Sequence, residues 1–335
     1  MHKPATSSPV TRFCELLFVA FFHFIFVTYP VFIYPIVFYL LFTPLAPLVI
    51  AYFIWFWYDL KQPAKGSRIV PWVRRLWIYK YFAGYFSLQL VKTADLDPSR
   101  NYILGSHPHG LFSCGAIGNI ALDVNNFSEL FPGMERYLVT LTGQFHFPLR
   151  REYMMALGCV ESSHKSIEYL LSNPEKKGQM VAIVLGGAEE VLDAHCGKYD
   201  LNLKSRRGFC HYALKYGADL VPVFHFGEND LFIQCPNPRG SPLRKLQSVI
   251  KKKMGICAPP VSGASLFPGR SSGPLPMRKP ITTVVGAPVR VEQKDDPSDE
   301  DVTELHEKYC AALTELFEKH KKAYGVPDEV KLNIF

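Results

Sequence analysis

In the stretch LGSHPHG, residues 104–110, two histidines and a glycine follow the end of a short apolar run. The apolar residues at 102–104 predict a buried strand. Ligands of open α/β sheets bind where the strands end, at the carboxyl edge of the sheet. Histidine is the usual general base near neutral pH, because its ordinary pKa is about 6.5. We therefore predict that His107 and His109 are catalytic, in preference to two turn histidines with satisfied hydrogen bonds.

The residues beside the two histidines predict a fixed backbone at the same place. Pro108 fixes its own φ and biases His107 toward extended geometry. Gly110 has no Cβ, so it permits the close approach of a ligand. We therefore expect the ring directions of the histidines to be set by the backbone, with room for a ligand beside Gly110.

The rest of the chain predicts an α/β fold. Apolar runs predict strands at 137–141, 180–185, 220–224 and 281–285. Pro222 lies inside one of these runs and is expected to place it at a sheet edge or a bulge. Helices are predicted at 164–171 and 206–216, and the alternation with strands is typical of α/β proteins.

The C-terminal part predicts one long helix after a surface region. Residues 236–280 are rich in proline and glycine, which indicates a long surface region. From Ser298, a predicted N-cap, apolar side chains repeat on one helical face. They are Val302, Leu305, Tyr309, Leu313, Leu316 and Phe317. This pattern predicts a structural helix.

An apolar N-terminal segment predicts contact with a membrane. No Asp, Glu, Lys or Arg lies between Glu15 and Asp59. A spanning helix needs about 20 apolar residues, and four prolines interrupt the run, so residues 16–58 predict a transmembrane or re-entrant hairpin. Basic residues on both sides place residues 1–15 and the domain at 59–335 in the cytosol. A single span remains the alternative.

Charge and cysteines exclude some classes of protein. The net charge is +7, with basic residues crowded at 61–80 beside the apolar segment. Anionic headgroups explain this cluster better than nucleic acid, so we predict a bilayer partner and no nucleic-acid partner. Eight scattered cysteines without a CxxC pair predict reduced thiols. The glycosylation sequon at 126–128 would then not be modified, because the domain is predicted to be cytosolic.

Several kinds of chemistry fit the histidine pair poorly. GRSSG at 269–273 matches the serine-hydrolase elbow, but proline and glycine surround it where a strand and a helix are required. A catalytic zinc needs three protein ligands. The other candidate ligands lie in no tight motif; they are His146, His195, His211 and His225. We therefore predict no metal and no cofactor.

The remaining chemistry is acid/base catalysis. One histidine would take a proton from an alcohol, and that alcohol would attack an activated acyl group. Gly186 and Gly187 follow another apolar run, as the histidines do, and Glu190 comes shortly after them. Glu190 is the candidate to orient the imidazole. The alternative is an ordinary acid at a helix N-terminus.

Ordered motifs make the chain resemble the type-2 diacylglycerol acyltransferase family, which includes monoacylglycerol and wax-alcohol acyltransferases. These motifs are HPHG at 107–110, LGGAEEVL at 185–192, RRGF at 206–209, FGEN at 226–229 and KPITTVVG at 279–286. The resemblance implies a glycerolipid-acyltransferase-like mixed sheet flanked by helices. It also implies catalytic roles for His107, His109 and Glu190. The implied substrate-binding residues are Pro108, Gly110, Gly186, Gly187, Arg206, Arg207, Gly208 and Phe209.

The resemblance also implies substrates and a location. We expect an enzyme of the endoplasmic reticulum membrane and of lipid droplets that uses acyl-CoA to esterify diacylglycerol to triacylglycerol. Monoacylglycerol or a long-chain alcohol is the alternative acceptor, and a homo-oligomer is left open. Arg206 and Arg207 would meet the phosphates of coenzyme A, unless they form a solvated basic face. A protein of another class, a non-catalytic lipid-droplet protein, is the rival hypothesis.

Overall fold

A mixed sheet forms the centre of the computed structural model, which describes residues 8–254, 257, 259–267 and 272–335. The strands are β1 (Gln89–Lys92), β2 (Tyr102–His107), β3 (Glu135–Thr140), β4 (Cys159–Glu161), β5 (Gln179–Val184), β6 (Asp200–Leu201), β7 (Asp219–Phe226), β8 (Ile233–Gln234), β9 (Val261–Ser262), β10 (Thr282–Val285) and β11 (Asn333–Ile334).

Seven of these strands form the main sheet, in the order β1-β10-β7-β2-β5-β3-β4. β2 lies between β5 and β7 and is parallel to both. β10 is antiparallel to β7, so the sheet is mixed. The predicted α/β class with a mixed sheet flanked by helices is confirmed.

Helices cover both faces of the sheet. They are α1 (Pro9–His23), α2 (Tyr29–Leu40), α3 (Ala46–Tyr58), α4 (Pro71–Arg74), α5 (Tyr79–Tyr85), α6 (Cys114–Ala116), α7 (Phe127–Leu130), α8 (Arg150–Ala156), α9 (His164–Leu171), α10 (Gly187–Val191), α11 (Gly208–Tyr216), α12 (Pro242–Met254) and α13 (Asp299–His320). Alternate residues of β2 enter two apolar layers, Tyr102 and Leu104 in one and Ile103 in the other.

The long C-terminal helix forms as its sequence predicts. Ser298 and Asp301 make a reciprocal capping box at the start of α13. The predicted apolar face is buried in the layer that also holds Ile103. One of its members, Tyr309, does more than pack, because its hydroxyl contacts His107. The helix forms where predicted, and this contact also joins it to His107.

Pro222 does not place its strand at an edge. β7 is an interior strand between β10 and β2. The carbonyl of Pro222 accepts a hydrogen bond from Gly286 N–H just after β10 ends, and the next bridge on that side joins Leu220 to Val289. Between these two contacts one residue of β7 faces two residues of the opposite segment, so the predicted bulge is confirmed and the predicted edge is wrong. The N–H that proline lacks would point into the bulge, so the sheet loses no ladder bond there.

The predicted surface region at 236–280 contains a helix, the 13-residue α12. Gln247 and Arg244 are buried on one side of α12, while Leu246, Val249 and Ile250 are exposed on the other. Residues 268–271 lie outside the described residues, so most of the GRSSG motif does as well.

The N-terminal segment is a helix, a turn and a shorter helix. α1, a π-helical turn at Phe24–Thr28 and α2 run continuously from Pro9 to Leu40. Within the described residues, this is the one helix long and apolar enough to cross a membrane. A turn containing Pro44 then leads to α3, whose 13 residues are fewer than a span needs. Residues 1–7 lie outside the described part of the chain.

The apolar helices are tied to the rest of the domain by polar contacts. Tyr52 in α3 donates to Glu152 at 2.8 Å. Asp59, just after α3, accepts from the fully buried Arg151 through its Oδ2 at 2.6 Å. Tyr29 donates to the carbonyl of Pro148 at 2.6 Å. These contacts fix the helices against α8.

Replacing Asp59 should loosen this attachment. In Asp59→Ala, Arg151 would keep Glu152 as an ion-pair partner but would lose its second carboxylate while buried. We expect a loss of about 3 kcal/mol in the free energy of unfolding, measured by denaturation in detergent micelles. Asp95→Ala, which removes an exposed pair with Lys92, should change the free energy of unfolding far less. Equal losses in the two variants would contradict the prediction.

Candidate active site

The carboxyl ends of three adjacent parallel strands bring the candidate residues together. β2 ends at His107, β5 leads into Gly186 and Glu190, and β7 leads into Glu228. Because these strands are neighbours and parallel, their ends meet at one edge of the sheet. The edge predicted from the LGSHPHG stretch is therefore built from three separate segments.

His107 is fully buried at the end of β2. Its Nε2 lies 3.0 Å from the hydroxyl of Tyr309, and its Nδ1 has no hydrogen-bond partner among the described residues. Burial lowers the pKa of His107 to about 3, so the ring is neutral at physiological pH. The bond between His107 and Pro108 is cis.

His109 is partly exposed, unlike His107. Its Nδ1 lies 3.1 Å from the carbonyl oxygen of Gly110. A carbonyl can only accept, so Nδ1 carries the proton of the neutral ring and Nε2 carries the lone pair. Burial lowers the pKa of His109 below its ordinary value, which keeps this lone pair available near neutral pH. His109 therefore presents a base nitrogen at the strand end.

Glu190 contacts the backbone of this segment and of Asn202. Its Oε1 accepts from the N–H of His109 at 2.6 Å, and its Oε2 accepts from the N–H of Asn202 at 3.0 Å. The sequence suggested that it would orient an imidazole, whereas both oxygens are engaged by main-chain donors. Burial raises the pKa of Glu190 to about 7, against the effect of these donors.

Gly186 is needed for the position of Glu190. A Cβ on Gly186 would lie 2.1 Å from Glu190 Oε2 and 2.2 Å from its carboxyl carbon. Any side chain would displace the carboxylate from the N–H of His109. This close approach explains why a glycine precedes the glutamate.

The four residues of the RRGF segment, 206–209, lie in different surroundings. Arg206 is exposed, and its Nη2 lies 3.7 Å from where Gly187 would carry a Cβ, so it stands at the rim of the site. Arg207 points to α13 and donates to Thr303 at 3.1 Å. Phe209 is buried and packs edge-on against Tyr309 with 4.9 Å between ring centroids. Gly208 begins α11.

Two residues at the site were absent from the predicted set. Glu228 is buried, and its carboxylate accepts from the N–H groups of Cys114 and Gly115 at 2.8 and 2.7 Å. It also packs against Gly110. Burial raises the pKa of Glu228 to about 7. The apolar run into Gly227-Glu228 repeats the layout of the other two strand ends and could have indicated it. Tyr309 gave no such signal, because it fitted an apolar helical face.

The other histidines have separate partners. His225 is buried between Ser106 and Thr283, which contact its two ring nitrogens. His195 contacts Asn237 at 2.9 Å. Across the residues that the structure describes, His, Cys, Asp and Glu form no group of three or more suited to a metal. All eight cysteines are free thiols in the structure.

Comparison with known proteins identifies close relatives. The diacylglycerol acyltransferase family model matches residues 38–335. The 2-acylglycerol O-acyltransferase 1 of Bos taurus is 47% identical over 285 residues, which are 85% of this chain and 84% of that protein. The 2-acylglycerol O-acyltransferase 3 of Homo sapiens is 43% identical over 292 residues, which are 87% and 85%. The diacylglycerol O-acyltransferase 2 of Homo sapiens is 40% identical over 287 residues, which are 86% and 74%.

Among solved structures, the 1-acyl-sn-glycerophosphate acyltransferase of Thermotoga maritima aligns with 92% of this chain and 95% of its own, at a TM-score of 0.42 and 13% identity.

A mixed α/β sheet with a histidine pair at its carboxyl edge, together with the family match, defines an acyltransferase. The match covers residues 38–335, and the relatives align over most of their own length. The chain belongs to the diacylglycerol acyltransferase family. The family predicted from the ordered motifs is confirmed.

Proposed function

We propose that this protein transfers the acyl group of acyl-CoA to a hydroxyl of an acylglycerol, with His109 as the general base. The observation that carries the proposal is the Nδ1 contact of His109 with the Gly110 carbonyl, which leaves a lone pair on Nε2 of a partly exposed ring. His107 is a weaker candidate for the base because its ring is fully buried. The reaction uses acyl-CoA as a co-substrate and needs no further cofactor.

In the proposed reaction, His109 carries the proton from the acceptor hydroxyl to the leaving thiolate. His109 Nε2 takes the proton of the acceptor hydroxyl while the hydroxyl oxygen attacks the thioester carbon. The tetrahedral intermediate collapses, the C–S bond breaks and an ester forms. The imidazolium then returns its proton to the thiolate, so coenzyme A leaves as a thiol and the base is regenerated. Glu190 holds the His109 backbone throughout.

The comparisons favour one of two acceptors. Diacylglycerol is the acceptor predicted from the sequence, and a relative named for it is 40% identical. The relatives named for 2-acylglycerol are 43% and 47% identical. We therefore propose monoacylglycerol as the preferred acceptor and diacylglycerol as the second.

A labelled-acyl assay tests this proposal. The full chain in lipid nanodiscs would receive labelled acyl-CoA with 2-monoacylglycerol, diacylglycerol or a long-chain alcohol at equal surface concentration. We expect labelled diacylglycerol to form fastest. If no acceptor becomes labelled while the protein still binds lipid droplets, the non-catalytic alternative is correct.

We also propose that the site lies at the cytosolic surface of the endoplasmic reticulum membrane, and at lipid droplets. Support comes from the apolar helix at Pro9–Leu40, which presents many large apolar side chains outward. α12 adds an exposed apolar stripe of Leu246, Val249 and Ile250 beside the exposed Lys245 and Lys252. Such a face suits an anionic lipid surface. Acyl-CoA would then arrive from the cytosol and the glyceride from the bilayer.

Arg206 is the residue proposed to hold the phosphates of coenzyme A. It is exposed at the rim of the site, whereas Arg207 is engaged with Thr303. Arg206→Gln should raise KM for acyl-CoA about threefold to tenfold and leave kcat unchanged, because only uniform binding is lost. High salt should reduce the difference in KM for acyl-CoA between Arg206→Gln and the wild type. Steady-state kinetics with Arg207→Gln as the matched control tests it, and an equal effect in both variants would contradict the assignment.

A further inference from the structure

Tyr309, in the C-terminal helix α13, contacts the histidine motif, residues 107–110, from far along the sequence. It is fully buried in α13. Its hydroxyl lies 3.0 Å from His107 Nε2 and 3.1 Å from the carbonyl oxygen of Gly105. One hydroxyl of the C-terminal helix therefore touches the catalytic strand at two points.

The single proton of the Tyr309 hydroxyl determines which ring nitrogen of His107 is protonated. The Gly105 carbonyl can only accept, so the single phenolic proton goes to it. The Tyr309 oxygen must then accept from His107, which places the imidazole proton on Nε2. A neutral His107 consequently carries its lone pair on Nδ1, the nitrogen that has no partner among the described residues.

A glycine in β2, Gly105, leaves room for this contact. A Cβ on Gly105 would lie 1.8 Å from the Tyr309 hydroxyl and 2.7 Å from its ring. Only glycine leaves room for the tyrosine at this position. Phe209 packs edge-on against the Tyr309 ring, at 4.9 Å between centroids. The hydroxyl is therefore held in place from the strand and from α11.

We propose that Tyr309 is a positioning residue for acyl transfer. It fixes the ring of His107 and its Nε2–H tautomer, and it anchors the end of the strand from which His109 projects. Active-site groups need support of this kind, since small displacements of a reacting group reduce rate strongly. The inference rests on the proposed acyl transfer and adds to it a residue 202 positions away from His107.

Tyr309→Phe tests the proposal, because it removes the hydroxyl and keeps the ring. Both Gly105 O and His107 Nε2–H would lose their partner. We expect kcat to fall roughly tenfold to a hundredfold, with KM for both substrates unchanged. Tyr102→Phe is the matched control. Tyr102 is as buried as Tyr309 and lies on β2, the strand that ends at His107. Its hydroxyl bonds to the N–H and carbonyl of Asp97, away from the site. Tyr102→Phe should lower the melting temperature without lowering kcat.

A double-mutant cycle separates positioning from general stability. In a His107→Ala background, Tyr309→Phe should lower kcat less than it does in the wild type, because only the contact with the Gly105 carbonyl is then lost. Additive losses, or a Tyr309→Phe variant with wild-type kcat, would overturn the proposal.

Nitrogen NMR of the wild-type chain labelled at histidine gives a test that needs neither a variant nor activity. The resonances of His107 should report a protonated Nε2 and a bare Nδ1, and the opposite tautomer would also overturn the proposal. If the wild-type protein esterified no acceptor, the proposed function would fail, while the NMR result would still judge the role of Tyr309.

Discussion

His109→Ala should reduce acyl transfer about 10²- to 10⁴-fold, which is the usual contribution of a general base. The loss should appear in kcat, because the proton is removed only during the chemical step. Binding of acyl-CoA should be little changed, since Arg206 and the backbone of the site remain. Initial rates with saturating labelled acyl-CoA and monoacylglycerol measure the effect.

The pH profile offers a second measure of the same base. Burial lowers the pKa of His109 below its ordinary 6.5. The base form should therefore persist as the pH falls through 6.5, and the wild-type rate should drop only at more acidic pH.

His211 provides the control for His109, because it is exposed on α11 outside the site. His211→Ala should transfer at the wild-type rate. His107→Gln adds a useful contrast, since its amide nitrogen could still donate to Tyr309. Full activity in His109→Ala combined with loss in His107→Gln would move the role of base to His107.

Above pH 7, where Glu190 is ionised, Glu190→Gln should lower kcat roughly tenfold to a hundredfold. A carboxylate accepts both the His109 and the Asn202 N–H groups, whereas an amide offers one oxygen and one NH₂. One buried N–H donor would then face another donor, at a cost of about 1–3 kcal/mol. The turn that carries His109 would shift.

The neighbouring residue gives a matched control. Glu189 pairs with Arg244 at 2.9 Å on the outer side of α10 and touches no part of the histidine motif. Glu189→Gln should keep wild-type kcat. A similar loss in both glutamine variants would show that charge near α10, rather than the contact with His109, controls the rate.

Glu190 also links stability to pH. Its pKa of about 7 in the folded protein exceeds the ordinary 4.5, so the folded state binds the proton more tightly. The stability that this group contributes is fully present below pH 4.5 and is lost as the pH rises through 7. Glu190→Gln should therefore weaken the fall in melting temperature between pH 5 and 8. Glu189→Gln should retain it.

Much of the fold could be predicted from local patterns. The strand before the histidines, the helix at 164–171 and the capped helix after Ser298 all form where predicted. Each depends on features within a few residues, such as apolar periodicity or an N-cap. For Pro222 the local pattern left a sheet edge or a bulge open, and the choice between them depends on where the partner strand β10 ends. That end is a property of strand pairing.

The roles of the carboxylates could not be predicted in the same way. Glu190 was chosen because it follows a strand into glycines, but its actual contact is the backbone of His109. Glu228 has the same local layout and was left out of the predicted site. Which donors a carboxylate reaches depends on which strands are neighbours, and here β5 and β7 lie on either side of β2.

By itself, the sequence determined the family, the α/β class and the strand end that carries His107 and His109. These properties follow from ordered motifs and from short-range periodicity. Only the tertiary structure decided how that strand end is held, by Glu190 at the backbone of His109 and by Tyr309 at the ring of His107. The physical reason is distance along the chain. Tyr309 lies 202 residues beyond His107, and only the packing of α13 on the sheet brings its hydroxyl within hydrogen-bond reach.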